Sequence, residues 1–109
     1  MRMVRQLAGA LARIAGLRKA SLLDEALSEA DAAMAGLGGV DPRLVDATDA
    51  AVLVSVIRDP ARRGAVGRIL LERAEVARAR GEDGRAAALR EKGEALVASA
   101  GGGPAAGGG

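Results

Sequence analysis

The sequence predicts an all-α fold: two antiparallel helical hairpins joined by short helices in a small right-handed helical bundle. Three observations predict it. Apolar side chains recur at steps of three and four residues through 4–37, 60–80 and 83–100. Asp41-Pro42 and Asp59-Pro60 each place a capping side chain before a proline, the signature of a helix start. Glycines at 36, 38, 39 and 81 fall where periodic runs stop, and glycine readily takes the left-handed conformation that closes a helix.

The first hairpin, 2–37, is read as the unit around which the rest is organised. In its first helix Val4, Leu7, Leu11 and Ile14 form the inward stripe, while Arg2, Arg5 and Arg13 share the opposite face. Ser21 is read as the N-cap of the second helix, with Asp24 as the acid of a weak capping box. That helix places Leu23, Ala26, Leu27, Ala30, Ala33, Met34 and Leu37 inward, and Asp24, Glu25, Ser28, Glu29 and Asp31 outward.

Short helices fill 42–58. The run Ala51 to Ile57 is rich in β-branched residues, which favours a strand, yet no second strand is available to pair with it. It is read as a short buried helix, apolar nearly all round. Its surplus apolar surface makes Val52, Leu53, Val56 and Ile57 the candidate self-association residues. Asp59-Pro60 opens a long helix to about Arg80 with Val66, Leu70, Ala74 and Ala77 as its stripe; Gly64 and Gly67 are read as points of close helix approach. Asp83 is read as the cap of a last helix with Ala86, Leu89, Gly93, Leu96, Val97 and Ala100 on one face. The stretch 101–109, mostly glycine, reads as a disordered tail.

Composition limits the chemistry. The 109 residues suit one domain, expected over 1–100. Phe, Tyr and Trp are absent, so the core must be built from aliphatic side chains and gains less area per residue. Self-association is one way to add burial. His and Cys are absent too, which removes the usual zinc, haem and copper ligands and every Ser-His or Cys-His nucleophile pair. Asp24, Glu25, Glu29 and Asp31 read as a solvated helix face rather than a divalent-cation site. No cofactor, no metal site and no enzymatic activity are expected. The net charge of +2 does not call for a polyanionic partner. Its distribution is uneven: residues 1–20 carry five cations and no acid, residues 21–49 seven acids and one Arg. Neighbouring helices of opposite charge are the expected result. Within the long helix, Arg68 with Glu72 and Glu75 with Arg78 are spaced for intrahelical pairs. A preference for Arg over Lys and much Ala suggest a GC-rich, bacterial source. No run of apolar residues is long enough for a membrane span, and a cytoplasmic location is expected.

Leu23-Asp24-Glu25-Ala26-Leu27 followed by Ala30 and Ala33, and Ala74 and Ala77 followed by Gly81-Glu82-Asp83-Gly84-Arg85-Ala86-Ala87, resemble the helix-turn-helix unit of tetratricopeptide repeats. Leu17, Leu23 and Ala30 stand where that repeat has aromatic residues, Ser21 stands at its turn glycine, and the copies lie about 60 residues apart instead of 34. The order of Gln6-Leu7-Ala8, Leu17-Arg18-Lys19, short middle helices and a second hairpin is similar to a small uncharacterised bacterial family of helical proteins. What the resemblance implies is a protein-binding module, with a homodimer as the expected assembly and the other protein partner unknown. The alternative is binding of nucleic acid or an anionic membrane surface through Arg2, Arg5 and Arg13, which the lack of aromatic stacking groups disfavours.

Overall fold

The computed structural model describes residues 2–101, and every described element is helical. The chain order is α1 (Arg2–Lys19), α2 (Leu23–Ala33), a π turn (Met34–Gly38) continuing α2, α3 (Pro42–Ala47), α4 (Ala50–Val56), α5 (Pro60–Ala79) and α6 (Asp83–Gly101). From residue 102 onward the stretch read as a tail lies outside the described residues.

Two tight corners shape the chain. At the first, the Ser21 amide donates to the Arg18 carbonyl and the Leu22 amide to the Leu17 carbonyl, both at 2.9 Å. At the second, the Gly81 amide donates to Arg78 and the Glu82 amide to Ala77, again at 2.9 Å. These are the paired bonds that close a helix on a left-handed residue. Ser21 (φ 64°) and Gly81 (φ 80°) are those residues. The expectation that Ser21 caps α2 is therefore corrected: it ends α1, and no side chain caps α2. Asp83 likewise sits inside the first turn of α6 instead of preceding it. Gly39 (φ 69°) closes the π turn, as the glycine run predicts.

Asp41 and Asp59 cap their helices as expected, and Asp49 caps α4 in the same way. Asp41 accepts from the Arg43 amide (2.9 Å), Asp49 from the Val52 amide (3.2 Å) and Asp59 from the Ala61 amide (3.0 Å). The run from Ala51 is thus settled as helix through Val56 by its cap and by the absence of any strand among the described residues.

The centre of the molecule is α5 rather than the first hairpin. It packs against α1, α2, the π turn and α6, and it is buried on more than one face, with Val66, Ile69, Leu70, Ala74 and Val76 all inside. Small residues make this possible. A β-carbon on Gly67 would stand 2.8 Å from the Gly93 carbonyl of α6, and one on Gly38 would stand 2.5 Å from Val66 Cγ2. Gly67 is the close-approach point that its place in the sequence suggests; at Gly64 a β-carbon would meet Ala100 Cβ at an ordinary 3.4 Å. In α1 the expected inward stripe holds except at its start: Ile14 is buried and Leu7 and Leu11 pack half-buried against the core, joined by Ala10, while Val4 is exposed.

Charges bridge helices. Arg13 of α1 binds Glu29 of α2 (2.8 Å), Arg90 of α6 binds Glu75 of α5 (2.6 Å), and Arg18 of α1 reaches Glu72 of α5 (3.9 Å). Arg80 pairs with Asp24 across α5 and α2. Glu72 and Glu75 were spaced for partners within α5, but both turn to neighbouring helices instead.

Candidate interaction surface

Asp49 starts α4, and seven residues of helix follow before Ile57 turns extended (φ −88°, ψ 91°). Over that span the i, i+4 spacing sorts the apolar residues onto two faces. Leu53 and Ile57 point into the core, at 0% and 5% exposure, and α4 packs on α6. Val52 and Val56 point outward, at 47% and 56% exposure. The expected four-residue patch is therefore split, because an apolar helix at the molecular edge still has only one face that can reach the core.

The outward half does not stand alone. Leu44 of α3 is 48% exposed, and with Val40 and Val56 it lines an open cleft of about 520 Å³ between the end of the π turn and the start of α5. Asp41, Arg58, Asp59 and Arg62 rim that cleft. Asp41 and Asp59 hold Arg43 and Arg62 at 3.5 and 3.8 Å, whereas Arg58 has no acidic partner among the described residues. The hydrogen bond from the Arg43 backbone amide holds the Asp41 carboxyl below the ordinary aspartate range, against the opposing effect of desolvation and with further help from the Arg43 guanidinium. Sequence reading missed Leu44 because it sits in a six-residue helix too short to show a period. Its one available signal was Pro42, which fixes the start of α3 and so the directions of Leu44 and Val45.

The basic face of α1 is only partly preserved. Arg2 and Arg5 are exposed and unpaired among the described residues, but Arg13 is drawn to Glu29. The acids of α2 also disperse: Asp24 goes to Arg80 and Glu29 to Arg13. Among the described residues no three acidic side chains come together as a cation site, and no helix is long and apolar enough to cross a membrane. Compared with protein-family models, curated proteins and solved structures, the chain matches none.

Proposed function

We propose that the chain is a non-catalytic, tetratricopeptide-like helical interaction module that self-associates as a homodimer through the α3–α4 face. The observation that carries the reading is the contiguous exposure of Leu44, Val52 and Val56 in a molecule whose other large aliphatics are mostly covered. Among the described residues only Val4 and Leu22 are otherwise exposed to a similar degree. A second copy suits this face because its rim carries both charges. A two-fold axis that set Asp41 or Asp59 of one copy against Arg58 of the other, which has no acidic partner among the described residues, would supply the self-complementarity that an isologous contact requires.

Energetics set the strength. Covering the remaining half of three aliphatic side chains contributes about 1 kcal/mol each, so about 6 kcal/mol for two copies. Association costs about 4–15 kcal/mol. The apolar contact alone is thus marginal, and a weak dimer assisted by the rim follows. Binding of anionic surfaces through α1 has less support, since Glu29 occupies Arg13.

Light scattering over a concentration series tests the proposal. The native chain should shift from monomer toward dimer as concentration rises, and Val52→Asp with Val56→Asp should hold it monomeric with unchanged helical circular dichroism. A native chain that is monomeric throughout would overturn the reading. Cytoplasmic residence belongs to the same proposal.

A further inference from the structure

A second surface, formed by α5, the start of α6 and the end of α3, carries a different chemistry. Arg73 is the only charged residue buried among those described, at 5% exposure. Its guanidinium grips Asp46 by two bonds, Nη1 to Oδ1 at 2.8 Å and Nη2 to Oδ2 at 3.2 Å, leaving Nε buried without a hydrogen-bond partner. A buried donor left unmatched costs free energy, so this side of the guanidinium favours an added acceptor.

Arg73 lines a cleft of about 260 Å³ together with Arg80, Arg85 and the apolar side chains of Leu27, Val76 and Leu89. Arg85 and Leu89 also line a smaller neighbouring hollow of about 130 Å³ that ends at Asp46 and Lys92. The two hollows share Arg85 and Leu89, and Arg73 of the first is paired with Asp46 of the second, so we treat them together as a trough. Four cations (Arg73, Arg80, Arg85, Lys92) meet it. Asp46 and Glu82 line it as well, and Arg80 is paired with Asp24, whose side chain is almost wholly solvent-exposed. Arg85 has no acidic partner among the described residues. Lys92 Nζ donates to the Val45 carbonyl at 2.8 Å and so is held at the trough with protons to spare.

We infer that this trough is a binding site for a small oxyanion, a carboxylate or a phosphate, carrying a short apolar group. Arg85 supplies the free guanidinium fork, which matches such an anion by paired, charge-assisted bonds. Leu27, Val76 and Leu89 receive the apolar group. The larger hollow falls below the roughly 300–1,000 Å³ of sites for drug-sized ligands, so the occupant is a compact molecule. This inference is independent of the dimer, which uses the α3–α4 face.

Four probes separate the contributions, each titrated into the full chain at constant ionic strength and followed by amide chemical shifts: 3-methylbutanoate, acetate, inorganic phosphate and the uncharged 3-methylbutanamide. Saturable shifts at Val76, Arg85 and Leu89 are expected with 3-methylbutanoate or phosphate. The tailed carboxylate should bind more tightly than acetate if the source is a carboxylate, and phosphate most tightly if it is a phosphate. The amide should bind at least about tenfold more weakly than 3-methylbutanoate, the scale of one lost charge-assisted bond. Arg85→Gln should weaken binding by a similar factor, while Arg68→Gln, an exposed arginine elsewhere on α5, leaves it unchanged. Shifts that do not saturate with any probe, or that respond equally to both substitutions, would overturn the inference.

Discussion

Gly67 of α5 and Gly93 of α6 face each other so closely that a β-carbon on either would stand 2.8 Å from the backbone carbonyl of the other. Neither helix can retreat without disturbing its other neighbours, since α5 is also held by α1, α2 and the π turn. Gly67→Ala and Gly93→Ala should therefore each destabilise the fold by about 1–3 kcal/mol, the usual cost of overpacking, despite alanine's helix preference of about 1 kcal/mol. Gly84→Ala, where nothing lies within 4 Å of a β-carbon, should have the opposite sign and stabilise by up to about 1 kcal/mol. Midpoints of urea unfolding distinguish the two signs.

The left-handed conformation at Ser21 makes a second prediction. Ser21→Gly relieves a steric conflict at φ 64° and should raise stability by about 0.5–1 kcal/mol. Gly81→Ser imposes the same conflict at φ 80° and should lower it by a similar amount. A thermal melt of each variant is sufficient. No change at either corner would show that neither position is strained.

Asp46 holds the charge of a buried arginine. Asp46→Ala leaves the Arg73 guanidinium short of two acceptors and should cost about 1–3 kcal/mol, less than for a fully buried pair because water reaches the Asp46 side. The double substitution Arg73→Met with Asp46→Ala should recover most of the loss. A double-mutant cycle by denaturant unfolding measures the coupling.

Asp41 links stability to acid. Its carboxyl titrates below the ordinary aspartate range in the folded chain because the Arg43 amide bonds the ionised form. The folded value is the depressed one, so this stabilisation is complete above the unfolded value and fades as pH falls through the folded one. Wild type should exceed Asp41→Asn in stability at neutral pH, and the gap should narrow as pH drops below the unfolded carboxyl value of about 3.9. A constant gap across that range would contradict the capping account.

Leu53 and Val56 test the division of α4. Leu53→Ala should cost about 2–5 kcal/mol through the cavity it leaves. Val56→Ala, on the exposed face, should change monomer stability by no more than about 0.5 kcal/mol. Unfolding measured at low protein concentration checks both values.

Much of this architecture was legible in the chain itself. Local rules set the helices: Asp41, Asp49 and Asp59 reach only their own first turns, prolines 42 and 60 fix backbone angles, and Gly39 and Gly81 take the conformation that ends a run. The period in 60–80 also named the buried residues Val66, Leu70, Ala74 and Ala77 correctly. For the candidate surface, Val52 and Val56 were visible as surplus apolar residues, but Leu44 was not.

By itself, then, the sequence determined that the chain is helical, where most helices start and stop, and which chemistries lack the side chains they need. Tertiary structure decided that α5 lies at the centre, that Leu53 turns inward while Val56 stays outside, and that Glu72, Glu75 and Asp46 find arginines on other helices. The physical reason is range. Caps, turns and periodicity act within a few residues, whereas burial and ion pairing depend on which surface arrives from elsewhere in the chain, and no local spacing encodes that.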